Sequence, residues 1–147
     1  MNINEILKWF KKAVPNPTEK TQIVQMGCHF EEFSEMLTSV GFAKYCDTVV
    51  NIDSIADSFK AGKVSNFSDD IDKIELLDSL CDQIVTATGV AHMLGFDIEG
   101  ALDEVNRSNW SKFENGSPVF DENGKIKKGE SYFKPNLTKF IGGDNAK

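Results

Sequence analysis

Three glutamates at helical spacing form the first group of residues that could do chemistry. Glu32 and Glu35 are three positions apart, so their carboxylates are neighbours on one face of a helix, and Glu31 lies in the same sector. Like charges this close together destabilise a helix unless a ligand neutralises them. Carboxylate oxygens are the ligands that Mg²⁺ prefers. The spacing therefore favours a divalent-cation site, although an ExxE pair alone is more often a solvated helix face.

A second acidic cluster follows at spacing i, i+3 and i+7, and consists of Glu75, Asp78 and Asp82. On a helical wheel these acids lie close together, beside an apolar stripe that includes Ile74 and Leu77. Two such clusters on two long helices could hold roughly one to three cations, which would neutralise phosphate oxygens and activate a bound water as the nucleophile. The pattern is typical of metal-dependent phosphate chemistry.

Apolar residues at helical spacing predict the elements that must carry these acids. We expect an all-α fold, a four-helix bundle whose core covers about residues 18–113. The predicted helices span residues 3–14, 18–40, 47–61 and 70–94, with a further helix that starts near Asp97.

Two apolar stripes are expected to face the core of this bundle. Ser68, Asp69 and Asp70 are the candidates for the N-cap of the 70–94 helix. The stripe of the 18–40 helix consists of Met26, Phe30, Phe33, Leu37 and Val40, and the stripe of the 70–94 helix consists of Ile74, Leu77, Cys81, Ile84, Val85 and Thr88.

The C-terminal part of the chain is rich in turn signals. Asn115-Gly116 and Asn123-Gly124 favour tight turns between short apolar segments. They predict a small hairpin or flap over about residues 114–140. The 147 residues are expected to form a single domain.

Composition restricts the classes of partner. The net charge of −7 argues against nucleic acid and against an anionic membrane surface, but it is compatible with a phosphate ligand that arrives with a cation. The three cysteines, Cys28, Cys46 and Cys81, include no CxxC pair, which indicates reduced thiols. Because no secretory signal or transmembrane stretch is recognisable, we expect a cytoplasmic protein.

The order of the acidic motifs resembles that of the MazG-like all-α pyrophosphohydrolase superfamily. A later block is similar to the C-terminal segment of its phosphoribosyl-ATP-pyrophosphohydrolase-like branch, found in bacteria and phages. The resemblance covers roughly residues 20–137 and is carried by EExxE at 31–35, ExxD at 75–78, NRSNWSKF at 106–113, DENGKIKKG at 121–129 and YFKP at 132–135.

The resemblance implies a role for each matching residue. It implies Mg²⁺ or Mn²⁺, one to three ions per site, held by Glu32, Glu35, Glu75 and Asp78. Glu31 and Glu32 are implied as catalytic carboxylates. Glu31 would bind a further metal or orient the attacking water. Substrate-binding roles fall to Asn109, Lys112, Lys125 and Lys128 for the phosphates, and to Tyr132 for the sugar or base.

The implied activity is a nucleoside-triphosphate pyrophosphohydrolase for nucleotide-pool control, which converts a (deoxy)nucleoside triphosphate and water into the monophosphate and pyrophosphate. A homodimer or homotetramer is expected, because sites in this superfamily are shared between chains. Two alternatives are phosphoribosyl-ATP pyrophosphohydrolase of histidine biosynthesis and a non-catalytic nucleotide-binding module. The gap between Glu35 and Glu75 is longer than in the shortest members of the superfamily, and residues 51–67 are the expected insertion. The motif leaves the role of Asp82 open.

Overall fold

The computed structural model describes residues 3–42, 46–64 and 71–142, and these are mostly helical. They form helices α1 (Ile3–Ala13), α2 (Glu19–Ser39), α3 (Asp47–Lys60), α4 (Lys73–Met93) and α5 (Ile98–Trp110), strands β1 (Phe113–Glu114) and β2 (Ser117–Pro118), and a 3-10 turn (Thr138–Phe140). The predicted helical class is confirmed.

The chain divides into two compact units. The α2–α3 unit contains residues 14–68 and 120–127, and the α4–α5 unit contains residues 1–13, 69–119 and 128–147. Within the described ranges, no helix is long and apolar enough to cross a membrane.

Helix α2 begins and ends where local sequence signals place it. Thr18 is the N-cap, and its hydroxyl accepts a hydrogen bond from the backbone N–H of Thr21 at 3.3 Å. The Thr21 hydroxyl accepts one from the backbone N–H of Thr18 at 2.8 Å, which completes a capping box. Gly41 follows the helix at a φ of 103°, a conformation that favours glycine. The predicted 18–40 helix is confirmed to within a residue or two.

Helices α2 and α3 pack closely because α2 offers a glycine at the contact. A Cβ on Gly27 would lie 2.9 Å from the carbonyl oxygen of Ala56 and 2.9 Å from Cβ of Phe59. The rings of Phe30 and Phe59 meet edge to face, with centroids 5.6 Å apart. The apolar core of this unit consists of Ile23, Val24, Val49 and Ala56, which are all buried.

The face of α2 that packs on α3 differs from the predicted stripe. Gly27 and Ser34 are buried, whereas Phe33 and Val40 are 46% and 66% exposed. Gly27 allows the α3 backbone to approach where a larger side chain would hold it away. The prediction that the Met26–Val40 stripe faces the core is therefore wrong for Phe33 and Val40, since residue size outweighed hydrophobicity.

Helix α4 also departs from its predicted environment. The cap candidates Ser68, Asp69 and Asp70 lie outside the described residues, and the N-cap is Asp72, whose carboxylate accepts from the N–H groups of Ile74 and Glu75 at 3.0 Å. The predicted buried stripe is wrong, because its members are exposed. The spacing of apolar residues identifies a helix face that can be buried, but it does not show which element packs against that face.

The α4–α5 unit has a small aromatic core. Trp9 and Phe113 are buried, with ring centroids 5.8 Å apart, and Ala13 and Ala91 are buried as well. Strands β1 and β2 pair antiparallel through the turn at Asn115-Gly116. Both turn residues have positive φ, 51° and 76°, as a tight hairpin requires. The hairpin predicted from Asn115-Gly116 is present.

One carboxylate fastens the C-terminal segment to α5. Glu104 accepts two hydrogen bonds from the Arg107 guanidinium, at 2.8 and 2.9 Å, and one from the backbone N–H of Asn136 at 3.0 Å. The bonds from Arg107 and Asn136 lower the pKa of Glu104 to about 2. The Arg107 guanidinium also lies 4.1 Å from the ring centroid of Phe133. Residues 133–136 are therefore held against this helix by polar as well as ring contacts.

We predict that replacing Gly27 with alanine lowers the free energy of unfolding by about 1–3 kcal/mol, because backbone atoms of α3 must move to admit the methyl group. This loss exceeds the gain in helix propensity. Urea unfolding followed by circular dichroism measures it. The control is Gly89→Ala on α4, where nothing lies within 4 Å of the added Cβ. Equal stability of the two variants would contradict the close contact.

We predict that acid releases Asn136 from Glu104. Because the pKa of Glu104 is lowered from 4.5 to about 2, its contribution is full above pH 4.5 and is lost as the pH falls towards 2. The amide NMR signal of Asn136 should titrate with a midpoint near 2, and should not titrate in Glu104→Gln. A midpoint near 4.5 would show that the carboxylate is unbonded.

Candidate functional site

A pocket lies between α2 and α3, within the α2–α3 unit, and has a volume of about 430 Å³. Helix α2 contributes an acidic and hydroxyl-bearing face, and α3 contributes further acids and a lysine. Its lining consists of Glu31, Ser34, Glu35, Thr38, Asp53, Ala56, Asp57 and Lys60. Six of these eight residues carry a carboxylate or a hydroxyl, so the pocket offers polar groups to a charged ligand.

Glu31 is the centre of the charge arrangement at this pocket. One of its carboxylate oxygens accepts a hydrogen bond from Lys60 Nζ at 2.9 Å, and the other accepts one from Lys125 Nζ at 2.6 Å. The side chains of Glu31 and Lys60 are 31% and 18% exposed, so these ion pairs are partly shielded from water. Two ammonium groups thus converge on one carboxylate.

The two lysines keep Glu31 ionised. Burial raises the pKa of the Glu31 carboxyl, but the hydrogen bonds from Lys125 and Lys60 outweigh it, and the resulting pKa lies below the usual value. Burial lowers the pKa of Lys60, yet its bonds to Glu31 and Asp57 raise it above the usual value. The pocket therefore holds the Glu31 carboxylate and the Lys60 ammonium in their charged forms at neutral pH.

A tight turn positions Lys125 in contact with Glu31. The Asp121 carboxylate accepts hydrogen bonds from the backbone N–H groups of Asn123 and Lys125, both at 2.9 Å. Gly124 takes a φ of 85°, which the turn requires, and the backbone of Phe120 pairs with that of Ile126. The sequence Asp-Glu-Asn-Gly-Lys thus folds locally so that its lysine contacts α2.

Three charged residues of α3 belong to the pocket, although they lie outside the acidic motifs identified in the sequence. Asp53, Asp57 and Lys60 are spaced i, i+4 and i+7, which places them on one face of a helix. Lys60 Nζ lies 3.2 Å from the Asp57 carboxylate. The spacing rule that selects the glutamates of α2 also identifies this face of the predicted 47–61 helix.

The predicted metal ligands are divided between the two units. Glu35 lines the pocket with Glu31, and Glu32 is exposed on the same helix. Glu75 and Asp78 are exposed on α4, in the other unit, and so is Asp82. Among residues 3–42, 46–64 and 71–142, no three acidic, histidine or cysteine side chains are arranged to hold a metal ion.

The predicted phosphate and nucleoside contacts are likewise divided. Lys125 contacts Glu31, as described above. Lys128 Nζ lies 5.0 Å from the ring centroid of Tyr132, so these two residues contact each other within the α4–α5 unit. In the same unit Asn109 is half-buried near the end of α5, and Lys112 Nζ lies 5.9 Å from the ring centroid of Trp9.

Comparison with protein-family models, with characterised proteins and with solved structures finds no match to this chain.

We predict a measurable coupling between Glu31 and Lys125. In a double-mutant cycle of Glu31→Gln and Lys125→Met, urea unfolding should give a coupling of about 0.5–1.5 kcal/mol, because the pair is close and partly shielded. The control cycle pairs Glu31→Gln with Lys127→Met, a neighbouring exposed lysine. Equal couplings in the two cycles would show that Lys125 does not contact Glu31.

Proposed function

We propose that this chain is a Mg²⁺-dependent nucleoside-triphosphate pyrophosphohydrolase, which cleaves between the α- and β-phosphates. One observation carries the proposal: carboxylates of α2 and α3 line a pocket together with the Lys60 ammonium, and hydrogen bonds from Lys60 and Lys125 hold Glu31 of that lining ionised. Phosphate transfer needs positioning and charge neutralisation more than covalent chemistry from the protein. A pocket that holds both signs of charge is suited to a polyphosphate and its cation.

The excess of carboxylates in the pocket lining favours a cation-bound form of the proposed substrate. The pocket lining includes Glu31, Glu35, Asp53 and Asp57 against the single lysine Lys60. Coulomb repulsion from an excess of carboxylates disfavours a bare polyphosphate. A nucleoside triphosphate that carries a divalent cation matches the pocket better, because the cation compensates both the substrate and the acids.

The donor set fits a hard cation. We propose Mg²⁺ or Mn²⁺, one to three ions per site, as the cofactor, because Glu32, Glu35, Glu75 and Asp78 are oxygen donors of the kind that these ions bind. In the described residues these four acids are not gathered into one metal-binding group. When bound, the metal supplies charge to the phosphates and lowers the pKa of a coordinated water. Lys125 carries positive charge for the phosphate oxygens, and Asn109 and Lys112 are proposed as further phosphate contacts.

Glu31 has a separate role in this proposal. Its carboxylate is kept ionised by the two lysines, so it is available as a hydrogen-bond acceptor for the attacking water. A water oriented by Glu31 would attack the α-phosphorus as the bond from that phosphorus to the α,β-bridging oxygen breaks. Pyrophosphate would leave with the bridging oxygen, and the proton lost by the water would pass to solvent. Tyr132, with Lys128 beside its ring, is proposed to contact the sugar or base.

We further propose that the chain is a MazG-like four-helix enzyme that works as a homodimer or homotetramer. The exposed apolar face of α4 supports this, since Ile74, Leu77 and Val85 are 83%, 63% and 67% exposed. Light scattering after gel filtration should give a multiple of 16.4 kDa, and Val85→Glu should shift the mass to the monomer. Thr86→Glu, about 100° away around the helix, is the control. A monomeric wild type would contradict the assembly.

We predict that the wild type releases pyrophosphate from one or a few of the common NTPs and dNTPs in Mg²⁺ and from none in EDTA. Glu35→Gln and Asp78→Asn should each lower turnover by about 100-fold, because each removes a charged ligand. Glu19→Gln, in the first turn of α2, should retain activity.

The assay measures pyrophosphate and the matching monophosphate, and circular dichroism checks that each variant is folded. Full activity of both acid variants would eliminate the proposed metal ligands. Absence of turnover with every nucleotide would contradict the proposed activity on common nucleotides.

A further inference from the structure

Helix α3 contributes a positively charged residue to the pocket, and this residue belongs to neither acidic motif. Lys60 is the last residue of α3 and lines the pocket together with Glu31 and Asp57. Its side chain is only 18% exposed. Removing an ammonium group from water costs free energy unless carboxylates compensate it, so the position of Lys60 depends on its partners.

The stem of Lys60 is held in place by the backbone of α2. A Cβ on Gly27 would lie 2.9 Å from Cγ of Lys60, so the lysine stem occupies the space that a side chain at position 27 would need. This packing restricts the rotamers of the lysine. The ammonium is therefore directed into the pocket before any ligand arrives, which lowers the entropic cost of binding.

The partners of Lys60 leave it able to bind an anion. An ammonium group has three N–H donors, and Glu31 and Asp57 accept from it at 2.9 Å and 3.2 Å. Asp57 is 73% exposed, so its pairing with Lys60 is largely screened by water. Glu31 is also satisfied by Lys125 at 2.6 Å. Lys60 can thus transfer a hydrogen bond to a ligand while Glu31 keeps a cationic partner.

We propose that Lys60 is a phosphate-binding residue, which contacts the polyphosphate of a cation-bound nucleoside triphosphate from the α3 side of the pocket. This assignment rests on the proposed function. It adds a substrate contact from residues 51–67, the segment that lengthens the gap between the two acidic motifs. The excess of carboxylates in the lining makes the cation a requirement for this contact.

Inorganic pyrophosphate tests this contact without turnover. Calorimetry of the full chain with pyrophosphate should show binding in Mg²⁺ and none in EDTA. Lys60→Met should weaken the Mg²⁺-dependent binding by about tenfold or more, since a charged hydrogen bond is lost, and Lys60→Arg should restore part of it. Lys63→Met, an exposed lysine three residues further on, should bind as the wild type does.

A second measurement covers the case in which Lys60→Met fails to fold. In the wild type, the side-chain NMR signals of Lys60 should move on addition of Mg²⁺ and pyrophosphate, and those of Lys63 should not. Unchanged Lys60 signals, or equal affinity of folded Lys60→Met and wild type, would overturn the assignment. Binding that depends on Lys60 without turnover of any nucleotide supports the phosphate contact and contradicts only the proposed hydrolysis.

Discussion

The shared carboxylate of Glu31 is the interaction on which the charged end of the α2–α3 unit depends. It accepts from Lys60 on α3 and from Lys125 in the turn that follows residue 120, so it joins three segments that are distant in sequence. Partial burial makes each of these charges unfavourable alone, and together they compensate one another. The close approach of α3 to α2, which Gly27 permits, is what brings Lys60 within reach of Glu31.

This arrangement shows how an acidic chain could bind the phosphate substrate that we propose. A protein with a net charge of −7 repels anions at long range, so any phosphate site must gather positive charge locally. The lysines at Glu31 provide part of that charge, and the surplus carboxylates around them require a cation to complete it. Ammonium groups and cation would then neutralise different parts of the same polyphosphate.

The sequence predicted the helices better than their environments. The predicted 18–40 helix matches α2 to within a residue or two, because the signals that start and end a helix, here the Thr18 cap and Gly41, are local. The packed face of α2 was not predictable from hydrophobicity, since it is Gly27 that permits the close approach of α3. Glu31, Glu35 and Lys125 were found by spacing and resemblance. The pairing of Lys125 with Glu31 spans 94 positions and depends on tertiary structure.

We propose that water attacks the α-phosphorus of a nucleoside triphosphate in this protein. Hydrolysis in water enriched in oxygen-18, followed by mass spectrometry of the products, shows which phosphorus is attacked. We expect one labelled oxygen in the nucleoside monophosphate and none in the pyrophosphate. Label in the pyrophosphate, or in released orthophosphate, would contradict it, because the attack would then be on a different phosphorus.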